Sequence, residues 1–205
     1  MKIKLYWISI DSDILPHTDK DSNSDLNEVV NCILDEFESR DYFEELEIDP
    51  KLITILGIFS GRIVEGIADN LIDYYDGRWS GKLFSGDISA TLGESLTYAI
   101  LYTKFDIDIS RIIPLRIVKY LGVSPDTIIS SDNNKKLVEF LGITKSAILL
   151  VNSRSSINYN RYITAENIKK DILNLENLRY PDNYSLLSYV MNYNGLSSLM
   201  LVIKP

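Results

Sequence analysis

Apolar and polar residues follow regular spacings in the first third of the chain. Residues 1–10 (MKIKLYWISI) form a short, mostly apolar segment, which predicts a β-strand. Residues 11–25 are rich in Asp, Ser and Asn, which predicts a solvated loop. Apolar residues then recur at helical spacing, which predicts an amphipathic helix from Ser24 or Asp25 to Ser39 and a second helix that ends near Asp76. The residues that define these helices are Leu26, Val29, Val30, Ile33, Leu34, Phe37 and then Ile63, Ile67, Leu71, Ile72.

From residue 89 onward the pattern predicts helices and strands in close succession. A helix capped by Ser89 or Thr91 runs to about Lys104, and a helix capped by Thr164 runs to Leu175. A run of tyrosines and leucines from Tyr184 to Tyr193 is interpreted as a further helix. The remaining predicted elements are strands over 111–119, 126–130, 147–151 and 199–203, and a short helix or irregular crossing over 135–141. This order predicts an α/β fold with a mixed central sheet flanked by helices.

Charge divides the chain into two unequal parts. Residues 1–88 contain 8 Lys and Arg against 19 Asp and Glu, whereas residues 89–205 have a small basic excess within a chain of net charge −8. We therefore predict an acidic N-terminal α/β extension over 1–88 and an α/β core over 89–205. The basic part offers a surface for DNA, and the acidic part offers one for a protein partner.

Composition narrows the class of protein. Hydrophobic residues make up 45% and charged residues 24% of the 205 positions, which is typical of a globular protein. Apolar runs such as 147–151 are too short to cross a membrane, and the N-terminus lacks the pattern of a signal peptide. Cys32, the single cysteine, excludes an intrachain disulfide and a cysteine-based zinc site, and is interpreted as a core residue. We expect a cytoplasmic protein that does not contact a membrane. It could associate as a homodimer.

Three short motifs lie on successive elements of the predicted core. Glu94 is in the first turn of a helix, Asp126 follows Pro125 at the start of a strand, and Asn152 and Arg154 end the next apolar strand. This order resembles the PD-(D/E)XK superfamily, the restriction-endonuclease-like fold that includes archaeal Holliday-junction resolvases. In that family an acid of the first helix, the Asp of a Pro-Asp pair and a Glu-x-Lys motif converge at one edge of the sheet. The match covers residues 89–205.

The resemblance implies a metal-dependent nuclease with a degenerate third motif. In such enzymes carboxylates hold Mg²⁺, which offsets the charge that builds on the phosphoryl oxygens, and a lysine orients the attacking water. By this pattern Glu94, Asp126 and Asn152 are the metal ligands. Asn152 stands where a glutamate is expected and binds a cation only weakly. Arg154 stands where a lysine is expected, and its high pKa prevents it from acting as a general base.

A migrated acid is the alternative explanation for the altered motif. Some restriction enzymes of this superfamily take the missing carboxylate from the next helix. Glu166 lies in the first turn of the predicted helix after Arg154, so it is the candidate replacement, with Lys169 in place of the lysine. Glu166 is otherwise explained by the favourable interaction of an acid with the positive end of a helix.

The other motifs have simpler explanations. Asp11 and Asp13 fit a loop start better than a metal site, and His17, the only histidine, fits a polar surface. Residues 76–86 contain three glycines but match no known phosphate-binding spacing, so they indicate a connecting loop. Six clustered tyrosines are typical of packing positions, with base stacking as the alternative. They are Tyr159, Tyr162, Tyr180, Tyr184, Tyr189 and Tyr193.

Three functions are consistent with these features. The first is a catalytically degenerate pseudo-nuclease that acts in DNA processing or repair by binding nucleic acid or a partner. The second is an active Mg²⁺-dependent DNA endonuclease that uses Glu94, Asp126 and Glu166. The third is a protein-interaction module of unrelated fold, whose acidic surface over residues 35–47 binds a basic partner. The first is favoured because two of the four motif positions hold residues with the wrong chemistry for hydrolysis.

Overall fold

The computed structural model describes most of the chain, with gaps between the described ranges. These ranges are residues 1–15, 22–41, 43–59, 86–115, 125–132, 134–143, 147–156, 158–177 and 183–205. The predicted helix through Ile63 and Leu71, the glycine loop before Gly86, His17 and Tyr180 lie outside them. So do residues 116–119 of the strand predicted over 111–119.

A mixed sheet of seven strands forms the centre of the described structure. The strands lie side by side in the order β2-β1-β7-β6-β5-β4-β3. Neighbouring strands are antiparallel, except that β1 is parallel to β7 and β5 is parallel to β6. The strands are β1 (Lys2–Asp11), β2 (Glu44–Glu47), β3 (Ile112–Pro114), β4 (Thr127–Ser130), β5 (Ile148–Ser155), β6 (Tyr184–Asn192) and β7 (Leu196–Lys204).

Helices pack on both faces of this sheet. Five α-helices are described: α1 (Ser22–Ser39), α2 (Pro50–Phe59), α3 (Gly86–Phe105), α4 (Lys135–Leu141) and α5 (Arg161–Asn177). Two short 3-10 turns lie at Ser12–Ile14 and Ile109–Arg111. No helix within the described ranges is both long enough and apolar enough to cross a bilayer.

Two hydrophobic cores lie on opposite faces of the sheet, because successive strand residues point to opposite sides. The first core joins α2, α3 and α4 to one face, through residues such as Leu96, Val151 and Val202. The second joins α1 and α5 to the other face, through residues such as Phe37 and Ile168. The predicted α/β class, with a mixed sheet flanked by helices, is thereby confirmed.

The acidic N-terminal part contributes two strands to the same sheet. β1 pairs with β7 in eight registered positions, from Lys4 opposite Ser197 to Asp11 opposite Lys204. β2 then pairs with β1 and forms one edge of the described sheet. The division between residues 88 and 89 stays a prediction, but the two parts share a continuous ladder of backbone hydrogen bonds.

The predicted starts of two helices are wrong. α3 begins at Gly86, so Ser89 and Thr91 lie inside it and Glu94 lies beyond its first turn. α5 begins at Arg161, so Thr164 lies inside it and Glu166 lies beyond its first turn.

Two further predictions from the pattern are wrong. Residues 184–192 form strand β6, not a helix, and seven of its nine residues are buried because α3 packs on one face of β6 and α5 on the other. A segment that is apolar on both faces has no period that separates a buried strand from a buried helix. Cys32 is exposed, not part of the core, because α1 turns Leu26, Val30 and Ile33 toward the sheet and places Cys32 on its outer side.

Candidate functional site

Glu94 lies on the inner side of α3 and is wholly buried against the sheet. The hydroxyl of Tyr98, one helical turn further along, donates to Oε1 of Glu94 at 2.7 Å. The same hydroxyl is hydrogen-bonded to Oγ1 of Thr127 at the start of β4. A buried carboxylate is stable only when hydrogen bonds replace its lost water. The first candidate residue therefore belongs to a polar link between α3 and β4.

The pKa of the Tyr98 hydroxyl is affected by burial and by the carboxylates around this polar link. Burial is the main cause that raises the pKa of its hydroxyl far above the usual value, and the negative charge of Glu94 raises it further. The charge of Asp126 acts in the same direction, so both candidate carboxylates lie within electrostatic range of one hydroxyl. Tyr98 consequently keeps its proton at physiological pH and serves as a donor.

Asp126 precedes β4 and is bonded to β5 at the positions of the third motif. Its Oδ2 accepts a hydrogen bond from the backbone N–H of Ser153 at 2.9 Å and a longer one from the Ser153 hydroxyl at 3.3 Å. The backbone N–H of Asp126 donates to the side-chain oxygen of Asn152 at 3.1 Å. These contacts bring Asp126 of the second motif beside Asn152 of the third.

Arg154 points to the other face of the sheet. Ser153 is buried toward α3, and the next residue of a strand points the opposite way. The Nε of Arg154 donates to Oδ2 of Asp171 on α5 at 2.6 Å, and its Nη2 donates to Oδ1 of the same carboxylate. The hydroxyl of Tyr189 on β6 also donates to Oδ2 of Asp171, at 3.0 Å. Arg154 is therefore engaged in a bidentate ion pair with a buried carboxylate.

The pKa shifts in this group follow from burial and from the ion pair. Hydrogen bonding to Asp171 is the largest cause that raises the pKa of Arg154, and the charge of Asp126 contributes in the same direction. Burial raises the pKa of Tyr189 well above its ordinary value, with the charge of Asp171 as the next cause. Arg154 stays a cation and Tyr189 stays neutral, so neither serves as a general base.

α3 comes unusually close to the end of β5 at Gly93, in the first half of the helix. A Cβ atom added to Gly93 would lie 2.8 Å from the carbonyl carbon of Arg154 and 2.9 Å from the nitrogen of Ser155. These are backbone atoms, which cannot turn aside as a flexible side chain can. Gly93 thus allows the helix that carries Glu94 to rest directly on the strand that carries Asn152 and Arg154.

Glu166 lies elsewhere, on the outer side of α5. Its Oε1 accepts a hydrogen bond from Nζ of Lys169 at 2.6 Å, and its side chain is half exposed. It lines an open cavity of about 450 Å³ between α1 and α5, together with Leu26 and Leu173 among others. The acidic residue of α5 that forms the ion pair with Arg154 is Asp171, not Glu166.

The structure thus groups the sequence-predicted residues unevenly. Asp126 contacts Asn152 and Ser153 directly, and Tyr98 links Glu94 to Thr127, the residue after Asp126. Arg154 instead binds Asp171, and Glu166 binds Lys169 on the outer side of α5. Sequence reasoning missed Tyr98, Thr127, Ser153 and Asp171. A signal for Asp171 was available, because an acid beside Ile172 interrupts the apolar stripe of α5.

Three oxygens of the sequence-predicted metal ligands accept hydrogen bonds from the protein. Mg²⁺ needs several oxygen ligands that face one point with their lone pairs available. Here Oε1 of Glu94, Oδ2 of Asp126 and the amide oxygen of Asn152 each accept a hydrogen bond from a protein donor. Within the described residues, no group of three or more His, Cys, Asp or Glu side chains is placed to hold a metal ion.

The remaining candidates, two aspartates and the clustered tyrosines, lie away from Glu94 and Asp126. Asp11 and Asp13 are exposed at the end of β1. Tyr159 and Tyr193 pack with Phe37 in an aromatic cluster, where the Tyr159 hydroxyl donates to Glu38. Tyr162 is the exception, because 75% of its surface is exposed at the start of α5.

Comparison with known proteins gives no relative. No family model matches the chain, and neither a curated protein nor a solved structure shows significant similarity to it.

Proposed function

We propose that this chain is a nuclease-like protein that does not cleave phosphodiesters and acts in DNA processing or repair by binding DNA. The observation that carries the proposal is the bidentate pair between Arg154 and Asp171. It neutralises the cation that would have to face a phosphate or a water, and holds it on the sheet face opposite Glu94. A polar network that is satisfied in this way stabilises a fold and provides no catalyst.

The order of the elements supports the nuclease-like part of the proposal. α3, β3, β4, β5, α5 and β6 follow one another, with α4 inserted between β4 and β5. The sequence pattern predicts a helix, three strands and a helix in this order, and the resemblance places the candidate residues on these elements. Asp126 before β4 is hydrogen-bonded to Asn152 on β5, and Glu94 on α3 is linked through Tyr98 to Thr127 at the start of β4.

The hydrogen bonds of the two acids support the non-catalytic part. Glu94 is 0% exposed and is bonded to Tyr98, and Asp126 is bonded to Ser153. A substrate phosphate would have to displace these partners at a considerable energetic cost, because buried polar groups without hydrogen bonds are strongly unfavourable. An active enzyme with a migrated acid would also require Glu166 to leave Lys169 and cross to the inner side of α5.

We place this activity in the cytoplasm. Cys32 is exposed as a free thiol on α1, which suits a reducing compartment. DNA contact is assigned to the residues after 88, where basic residues exceed acidic ones in an otherwise acidic chain.

Two measurements test the proposal together. The protein is incubated with supercoiled, single-stranded and branched DNA in Mg²⁺ or Mn²⁺, and binding to the same DNA is followed by fluorescence anisotropy at low and high salt. We expect no cleavage, and binding that weakens as salt rises because phosphate contacts release counterions. Asp126→Ala is the control for a contaminating nuclease.

The outcomes separate the three functions. Cleavage that Asp126→Ala abolishes would overturn the pseudo-nuclease, and its loss on Glu166→Gln would identify a migrated acid. Cleavage that survives Asp126→Ala comes from a contaminant. The absence of both cleavage and binding at low salt would refute the DNA-binding function and favour the interaction module.

A further inference from the structure

A short turn joins β6 to β7. Asn192 pairs with Leu196, and the residues between them make the connection. Asn194 has a φ of 54° and Gly195 a φ of 102°, backbone conformations that asparagine and glycine adopt more easily than other residues. Both residues are exposed, and a Cβ atom added to Gly195 would meet nothing within 4 Å. The turn therefore presents to solvent the only asparagine of the sequence that is followed by a glycine.

This pair of residues has a chemistry of its own. Asparagine is thermolabile, and one that precedes a glycine can lose its side-chain amide without an enzyme, because no side chain hinders the attacking nitrogen. The glycine nitrogen loses its proton and bonds to Cγ of the asparagine, the bond from Cγ to Nδ2 breaks, and ammonia leaves with an equivalent proton. Water then opens the cyclic imide to aspartate or isoaspartate. A group that stabilises the deprotonated peptide therefore speeds the reaction.

Lys4 on β1 is placed to act in this way. Its Nζ donates to the backbone oxygen of Asn194 at 2.7 Å. That oxygen belongs to the same peptide group as the nitrogen of Gly195. When the nitrogen loses its proton, the negative charge is shared with the oxygen, and a hydrogen bond from an ammonium group stabilises that charge. The ring of Phe43, 4.1 Å from Nζ, holds the ammonium group on this side through a cation–π contact.

We propose that Asn194 is a site of spontaneous deamidation, and that Lys4 promotes the reaction in the folded protein through its hydrogen bond to the Asn194 oxygen. Folding brings the two residues together, because Lys4 is registered with Ser197 in the parallel pair of β1 and β7. They are 190 residues apart in the chain, so the unfolded protein lacks this effect. The product carries a new carboxylate beside the Lys4 ammonium group. This proposal is independent of the proposed function.

The rate of deamidation in matched variants tests the role of Lys4. The folded proteins are incubated at neutral and mildly alkaline pH, and peptide mapping by mass spectrometry follows the conversion of Asn194. We expect Lys4→Met to convert about threefold to tenfold more slowly than the wild type, since an exposed hydrogen bond from a charged group contributes up to about that factor. Lys4→Arg, which keeps the cation, should restore most of the rate. Lys2→Met is the matched control, because Lys2 lies on the same strand but donates to Glu45.

The same proteins unfolded in urea separate an effect of the fold from an effect of the local sequence. There we expect the wild type and Lys4→Met to convert at equal rates. Asn152, whose side-chain oxygen accepts from the backbone of Asp126, should stay intact in the folded digests. The wild type alone keeps the proposal testable if Lys4→Met fails to fold: an Asn194 that stays intact in the folded protein while the unfolded chain is converted overturns it. Equal folded-state rates for Lys4→Met and the wild type would do the same, as would an equal slowing by Lys2→Met.

Discussion

Nε of Arg154 lies 2.6 Å from Oδ2 of Asp171, so a buried carboxylate on α5 binds the only cation in the sequence of β5. Asp171 is 1% exposed and the Arg154 side chain is 35% exposed. The pair connects a strand to the helix that covers it, on the face opposite the polar network of Glu94.

Asp171→Asn should lower the free energy of unfolding by about 2–3 kcal/mol. Removing one partner of a buried ion pair leaves a charge without its counterion, and the partial exposure of Arg154 keeps the loss below the largest values known. Urea unfolding measures the change. Glu166→Gln is the matched control on the same helix, because its pair with Lys169 is half exposed and worth about 0.5 kcal/mol or less. Equal losses for the two variants would show that water replaces Asp171 effectively.

Gly93→Ala should destabilise the fold by about 1–3 kcal/mol, although alanine favours a helix. The new methyl group would meet the backbone of Arg154 at 2.8 Å and force α3 away from β5. Thermal unfolding measures the loss. Gly142→Asn is the control, because Gly142 needs its left-handed φ of 68° but has open space around its Cβ position. Asparagine tolerates that conformation, so we expect a smaller change there. A neutral Gly93→Ala would refute the close contact.

Alkaline pH should unfold the protein through its buried tyrosines. Burial raises the pKa of Tyr98, Tyr159 and Tyr189 in the folded state, whereas the unfolded chain has a tyrosine pKa of about 10. The folded state therefore binds more protons above pH 10, and the free energy of unfolding falls as pH rises beyond that value. Tyrosinate absorbance followed alongside circular dichroism should show these residues ionising only as the fold is lost. Ionisation of all 13 tyrosines before any loss of structure would contradict this prediction.

Thr97 and Ser188 should be energetically coupled. Their hydroxyl oxygens lie 2.8 Å apart between α3 and β6, and both residues are buried. Thr97→Val and Ser188→Ala each leave the other hydroxyl with fewer partners, at a cost of about 1–3 kcal/mol. In a double-mutant cycle measured by urea unfolding, the double variant should lose about 1 kcal/mol less than the two single losses together. Simple additivity would mean that the hydroxyls do not depend on each other.

Elements with a clear period were predictable from the sequence. The spacing of apolar residues placed α1 and α5 within a few residues of their observed bounds, and the β-branched runs placed β4, β5 and β7. β6 was not predictable in this way, because its side chains are buried on both faces and carry no alternation. The position of β1 beside β7 depends on contacts between distant parts of the chain, which local patterns do not encode.

The sequence identified residues of the candidate site, but it did not predict the direction in which the Arg154 side chain points. The sequence placed Glu94, Asp126 and Asn152 on a helix and two strands; in the structure Asp126 contacts Asn152, and Tyr98 links Glu94 to Thr127 at the start of β4. The direction of Arg154 depends on strand alternation together with an acid on a helix 17 residues later. The spacing of residues in a motif does not show which helix packs on each face of the strand.

The pairing of β1 with β7 also determines when the protein can fold. Lys4 is registered with Ser197, so the ladder between these strands cannot form until nearly the whole described chain has been synthesised. At about 5–20 residues per second, β1 waits for tens of seconds with Tyr6 and Ile8 uncovered on one side. Contacts between such distant residues slow folding because a long loop must close first. A chaperone that holds the first strand during synthesis would therefore raise the yield of folded protein.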